Sequence, residues 1–433
     1  MSLYIKKIIT SFKNNFFKLC QVPYFGFIKG HSDILEEELN KVSDLVGITD
    51  SNEVSKFEDS FASLIGDGKA VSFAAGRMGF YALMKVLSIK PGDDIIIQGS
   101  TCSVMVNAIL KIGANPIFAD IDKETFGSSY IGIEKCLSPR TKIIVAQHSF
   151  GIPCDIQPIV NLAKENKIFL LEDCALTLGS KINDKVCGNF GDASLFSTDH
   201  SKPLNLLIGG LIYSRNKILY NSLKKARDDS KELPKWKQKA LWKQLLFERK
   251  FSNPSNYSKM NLMAAMRSRF NYNKSPFLDD DFSSSILSKY PYPSRLPTFL
   301  AKLGIYELKR WDEKKNIRKD LLITFLKLSN DYDIQRFLPK SYFDLNLDIV
   351  PLRFVYTHPS FIRLRKEMST FLNIQWFWFT KPIVACEEPS ELGYKYGSCP
   401  ISEKVGNEII NWPCIFDNID NNNLVSYFKK VHA

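Results

Sequence analysis

Lys142-Ile143-Ile144-Val145-Ala146, then Ile156 to Glu165, then Ile168-Phe169-Leu170-Leu171-Glu172-Asp173 is the stretch that sets the fold. Two bare apolar runs of strand length flank ten residues whose apolar positions recur at helical spacing. Strands apolar on both faces, alternating with helices, belong to a parallel sheet covered on both sides. In such sheets ligands bind beyond the carboxyl ends of the strands, where Asp173 falls.

The same rhythm extends in both directions from this stretch. Asn52 to Leu64 reads as a helix, Lys69 to Phe73 as a strand and Gly76 to Leu87 as a helix. Pro91-Gly92-Asp93-Asp94 is a turn before the strand Ile95-Ile96-Ile97. Val104 to Ile112 is a helix, and Pro116 to Ala119 a strand. Between 216 and 290 the rhythm stops, and Lys, Asn, Ser and aromatic residues dominate. Leu303 to Leu328 is expected to be one long amphipathic helix, and a last helix spans about Asn422 to Lys430. The expected organisation is an N-terminal segment, 1–32, a large α/β domain, 33–302, with an enlarged basic region at 216–290, and a smaller C-terminal α+β domain, 303–433.

Composition narrows the class of protein. Of 433 residues, 45% are hydrophobic and 24% charged, which is ordinary for a globular chain with an ample core. The net charge of +12 is mostly spread thinly, without the arms or repeats of a nucleic-acid binder, so no nucleic acid is expected. Its densest part, 222–250, holds ten Lys and Arg against four acids, and is either a contact for a nucleotide diphosphate or acidic surface or a solvated helical face. Nine cysteines with no C-x-x-C pair fit reduced thiols in the cytoplasm. With five histidines and no H-E-x-x-H, no metal site is expected.

No apolar run reaches the ~18 residues needed to span a bilayer. The segment from Leu3 to Phe17 is basic and amphipathic, without the features of a signal peptide. It is either a peripheral contact with an anionic membrane or a helix packed on protein.

Three places carry candidate chemistry. Gly76-Arg77-Met78 opens a helix after a strand, where free N–H groups meet anions and Arg77 adds charge. Asp173 is a carboxylate at a buried strand end, costly unless paired. In Phe196-Ser197-Thr198-Asp199-His200-Ser201-Lys202 a hydroxyl stands five residues before a lysine. A sheltered lysine that loses its proton near neutral pH is a Schiff-base former.

Their order, together with several further stretches, resembles the DegT-type sugar aminotransferase family. These stretches are Lys56 to Ala62, Pro91 to Ile96, Asn107-Ala108-Ile109, Gly113 to Pro116, Asp120-Ile121-Asp122, His148 to Asp155, Glu172 to Ala175 and Gly191-Asp192. Cys399 to Lys404 and Ile409 to Pro413 complete the set, so the likeness runs from about residue 33 to the C-terminus.

The resemblance implies fold-type-I pyridoxal 5'-phosphate (PLP) enzymes with a mostly parallel sheet. It implies Lys202 as the Schiff-base lysine and proton shuttle, and Asp173 at the cofactor's ring nitrogen. Ser197, Gly76 and the backbone of Arg77 and Met78 would hold the phosphate, with Cys102 beside the ring. Glutamate as amino-acid donor, a nucleotide-sugar substrate, a homodimer with active sites at its interface and a place in surface-glycan synthesis follow in the same way.

The chain departs from the family at Cys102, where an aromatic ring is usual, at Leu176, where Gln is usual, and at Ala75-Gly76-Arg77. Arg77 is a candidate to compensate at the phosphate, and His200 to supply a ring. A partner-subunit Asn is matched either by Pro293, two residues before Arg295, or by Asn256-Tyr257 with Ala264-Ala265. Two further readings stay open: a PLP-dependent sugar dehydratase, and a non-catalytic binder of PLP or a sugar nucleotide.

Overall fold

The computed structural model describes residues 23–260, 262–263, 277–278 and 290–433. The segment Leu3 to Phe17 and the pair Ala264-Ala265 lie outside the described residues.

A seven-stranded sheet forms the centre: β1 (Lys69–Phe73), β2 (Asp94–Gln98), β3 (Asn115–Ala119), β4 (Thr141–Gln147), β5 (Phe169–Asp173), β6 (Ala193–Ser197) and β7 (Gly210–Ser214). Their order is β1-β7-β6-β5-β4-β2-β3. Only β7 runs against its neighbours, β1 and β6; the other pairings are parallel. Six strands therefore end on one edge. The order reverses between β2 and β4, which opens a crevice at that edge.

Helices α1 (Glu36–Ser43), α2 (Ser51–Ile65), α3 (Gly76–Val86), α4 (Ser103–Ile112) and α5 (Ile156–Glu165) cover the sheet. The expected elements of this part appear within a residue or two of their predicted ends. Apolar side chains from both faces make the main core, among them Phe57, Phe73, Ile95, Ile143, Leu171 and Ile212.

Beyond β7 the basic region contains α6 (Lys217–Asp228) and α7 (Lys235–Phe251), which bury Arg227, Lys237 and Glu248. A second core gathers α9 (Trp311–Asp331), α10 (Asn418–His432) and the antiparallel pair β8 (Arg353–Thr357) and β9 (Ile409–Pro413). Phe25 and Phe27, from the start of the described chain, pack into this second core.

The long helix expected from Leu303 to Leu328 is instead two helices, α8 (Thr298–Lys309) and α9, broken at Arg310. Arg310 turns its N–H to the Glu307 carbonyl, while its guanidinium donates to Tyr306 O, the acceptor a continuous helix would use. The same guanidinium pairs with Glu38, so the ion pair holds the break open. The apolar spacing carries on across it, which hid it from the periodicity.

A buried ionic cluster ties the N-terminal side of the chain to these helices. Glu307 accepts from His31 at 3.1 Å and pairs with Lys314 at 2.5 Å; Lys314 also meets Asp33 at 2.8 Å. Burial raises the Glu307 carboxyl, but Lys314 and His31 outweigh it and bring the pKa to about 2. The group titrates below its ordinary 4.5, so its stabilisation is present above pH 4.5 and is lost as the pH falls from 4.5 towards 2. Urea melts at stepped pH are expected to show a flatter acid limb for Glu307→Gln than for the wild type.

Gly210 lies so close to the start of α3 that an added Cβ would meet Gly76 Cα at 2.3 Å and Gly76 N at 2.4 Å. Both are backbone atoms and cannot turn aside. Gly210→Ala is expected to cost about 3 kcal/mol, read as a lower urea midpoint.

Candidate functional site

A cavity of about 490 Å³ opens at the edge where the parallel strands end. Each contributing strand hands it a residue at or just past its C-terminal end. Gly76 and Arg77 follow β1, Thr101 and Cys102 follow β2, Gln147 ends β4, Asp173 ends β5 and Ser197 ends β6. Lys202 comes from the loop between β6 and β7. The structure thus brings Gly76, Arg77, Cys102, Asp173, Ser197 and Lys202 to one place.

Met78 does not line this cavity. It is fully buried, with Ser294 N–H against its sulfur at 3.3 Å, and its own N–H is spent on Ala75 O at 3.1 Å. Helical spacing turns the side chain of the third residue of α3 into the core, so any part of Met78 at a phosphate falls to its backbone. Arg77 reaches the cavity wall, and its guanidinium donates to Leu278 O at 2.8 Å. The α3 N-cap, Ala75, has no side-chain cap, so the first-turn amides of Gly76 and Arg77 gain no side-chain acceptor from that residue.

The loop that carries Lys202 is pinned at many points. Thr198 N–H and Oγ1 donate to Gly209 O and Ile208 O, and Leu206 N–H donates to Thr198 O. Lys202 N–H donates to Asp199 O at 3.0 Å, while Ser201 donates to Asp199 Oδ1 from both its N–H and its hydroxyl. Lys202 Nζ lies 4.3 Å from the centre of the Trp378 ring. Burial lowers the pKa of Lys202, opposed by Asp199, Cys102 and Asp173 and aided by Arg353.

Asp173 Oδ1 accepts from Ala175 N–H at 2.9 Å. Burial raises its carboxyl, against the pull of that N–H, Lys202 and His148. A buried carboxylate near a buried amine is an arrangement that a polar, charged guest would complete.

Below Asp173 lie His148, Glu172 and Cys174, whose ligand-type atoms fall within 4.8 Å of one another. His148 and Glu172 form a closed hydrogen-bond set. His148 Nδ1 accepts from Cys154 N–H at 3.0 Å, which leaves its proton on Nε2, facing Glu172 Oε2 at 3.1 Å. The Glu172 oxygens also accept from Gly188, Phe190 and Gly191 N–H. Every lone pair that a metal needs from His148 is already used. The eight described cysteines are free.

Several cavity residues escaped the sequence reading. Trp376, Phe377, Trp378 and Phe379 form a wall beside Gln375, Thr380 and Lys381. Four aromatic residues in a row was the available signal. Arg353, a lone cation inside the apolar strand β8, braces this wall. Its guanidinium lies 3.9 Å from the Trp378 ring centre, 4.2 Å from that of Phe27, and donates to Trp376 O at 2.6 Å.

Arg295 and Asn256 do not reach the cavity of this chain. Arg295 lies near Arg227 and Thr49, and Asn256 reaches the Lys250 carbonyl. Leu176 lines the cavity with an apolar side chain, and His200 packs its ring on Phe277 at 4.3 Å and Trp376 at 5.6 Å.

The chain belongs to the DegT/DnrJ/EryC1/StrS aminotransferase family, which it matches over residues 32–424. Among its curated relatives, GDP-perosamine synthase of Escherichia coli O157:H7 is 37% identical over 187 residues, 43% of this chain and 51% of that protein. The UDP-N-acetyl-3-dehydro-alpha-D-glucosamine 3-aminotransferase of Acidithiobacillus ferrooxidans is 31% identical over 206 residues, 46% of this chain and 56% of that protein. The chain spans about half the length of these curated relatives.

Among solved structures, the aminotransferase from Psychrobacter cryohalolentis superposes with a TM-score of 0.69 at 18% identity, over 92% of this chain and 97% of that one. Helicobacter pylori PseC, an aminotransferase involved in the biosynthesis of pseudoaminic acid, gives 0.66 at 18% identity, over 94% and 99%. The fold is therefore that of the fold-type-I sugar aminotransferases.

Glu172→Gln replaces an acceptor of four hydrogen bonds by a group that brings its own donors into a closed site. It is expected to cost about 3 kcal/mol, read by chemical denaturation.

Proposed function

We propose that this chain is a PLP-dependent aminotransferase that moves an amino group from an amino acid, with glutamate the expected donor, to the keto group of a nucleotide-linked sugar. Its place is the building of surface polysaccharide such as lipopolysaccharide. Family membership and the named activities of the relatives support this reading. The observation that carries it is the meeting at one cavity of a half-buried lysine, Lys202, whose proton is loosened by desolvation of its amine, with a buried carboxylate, Asp173.

The residues present fit the cofactor. Asp173 lacks a full cationic partner, and a protonated ring nitrogen supplies one. Gly76 and Arg77 present helix-start amides, and Ser197 a hydroxyl, on the side where a phosphate would sit. Cys102 and Leu176 flank the same space with small or apolar side chains. When bound, PLP supplies the electron sink for breaking the bond at the donor's α-carbon.

The chain does the rest. Lys202, its ammonium form disfavoured by burial, accepts a proton at Nζ and returns it to the neighbouring carbon. Asp173 stays ionised while a cation faces it. The aromatic wall 376–379 excludes water, and Arg353 holds that wall in place from behind.

The three-part division at residues 32 and 302 accompanies this reading, supported by the two main cores. So do a homodimer with active sites at its interface, a cytoplasmic location and a peripheral membrane contact through residues 3–17. Among the described residues, no helix is long and apolar enough to cross a membrane.

Mixed with PLP, the full chain is expected to develop absorbance near ~420 nm that glutamate bleaches, and Lys202→Ala is expected to develop none. A band that survives in Lys202→Ala overturns the assignment of the lysine. A band that no amino donor shifts overturns the aminotransferase reading.

A further inference from the structure

We propose that His200, held by Glu248 of the basic region, is a positioning residue for Lys202: its imidazolium takes up the charge of Asp199, so that the neighbouring amine is freer to lose its proton. The proposal rests on the aminotransferase reading only for what Lys202 then does.

The geometry is specific. His200 Nδ1 meets Glu248 Oε1 at 3.1 Å, and its Nε2 lies 3.8 Å from Asp199 Oδ1. The imidazole is thus set between two carboxylates, with Phe277 and Trp376 against its ring. Glu248 is 2% exposed and is itself fixed, accepting from Gln244 Nε2 at 3.0 Å and from Asn205 Nδ2 at 3.5 Å. Asn205 also donates to Lys29 O, and Gly30 packs so tightly on the Glu248 carbonyl that a Cβ there would lie 2.1 Å away. A buried carboxylate with this much support is built to keep a cation beside it.

The charges around Lys202 show why that cation matters. Asp199 in its own turn, Asp173 at the end of β5 and Cys102 before α4 favour the ammonium form. Arg353 on β8 opposes it, and Arg77 and Lys381 line the same cavity. Asp199 heads the acidic causes at Lys202, and it is the one that His200 faces. Burial and the Lys202 charge work against the charged imidazole, but Asp199 and Glu248 outweigh them and raise its pKa above the ordinary 6.5, which favours the cation. Burial likewise opposes the charge of Glu248, and His200 outweighs it. The basic region at 216–290 thereby has an electrostatic part in the site, through a glutamate rather than through its many lysines.

Trace labelling with acetic anhydride tests this on the full chain, after hydroxylamine and dialysis have removed any carbonyl compound from Lys202. The Lys202 peptide is quantified by mass spectrometry from pH 6 to 11, normalised to exposed lysines. At pH 7, His200→Gln is expected to lower Lys202 labelling about fivefold, and Glu248→Gln in the same direction by less, since one pKa unit is tenfold in free amine. The wild-type and His200→Gln curves are expected to meet at high pH, where His200 has itself lost its proton. Asp199→Asn is expected to raise labelling at pH 7, and His200→Gln added to it to have little further effect.

A merely structural histidine predicts losses that do not depend on pH or on Asp199. Equal loss in both backgrounds, or no loss, overturns the proposal. If labelling behaves as expected but PLP and glutamate produce no spectral change, the charge arrangement stands and the aminotransferase reading falls.

Discussion

Asp173 and Lys202 are groups that water would keep charged, and the fold removes both from water within reach of each other. Neither is stable there alone. A buried carboxylate and a buried amine each carry a desolvation cost of several kcal/mol that only a partner offsets. Much of the surrounding structure can be understood as answering that cost. The parallel sheet brings Asp173 to its edge, the closed set of His148 and Glu172 fixes the strand end, and the pinned loop after β6 sets Lys202 opposite. The unbalanced remainder is what makes the site receptive to a polar guest.

The sheet was legible from sequence because its signal is local. The strands β1 to β5 are short, mostly apolar runs between turn residues, and burial on both faces leaves few polar residues to blur them. Asp173, Ser197 and Lys202 were legible for a similar reason: they stand at or just after such runs. The side chain of Met78 is turned inward because it is the third residue of its helix.

The remainder of the site was hidden because it is made by distance in the chain. The Trp376 to Phe379 wall faces Lys202 across 174 residues and more, and nothing local in Gln375 or Lys381 announces it. Arg353 reads as an anomaly in an apolar strand until its contacts with Phe27 and Trp378 are seen. The break at Arg310 was invisible because periodicity records which faces are apolar, whereas the break is made by a side chain competing for a backbone acceptor. Likewise the count of lysines in the basic region drew attention away from its one consequential acid, Glu248.

Phe25 donates its N–H to Phe371 O and packs its ring on Phe416 and Tyr427. The segment that carries it also passes Lys29 and Gly30 behind the loop of Lys202. During synthesis on the ribosome this segment leaves well before its seat, which is made by residues translated nearly 400 positions later. Until then its aromatic side chains have no home, and the lysine loop has no backing. The surroundings of Lys202 are thus completed only after residues 371 to 427 have been made, which places a late, non-local step in the folding of this site.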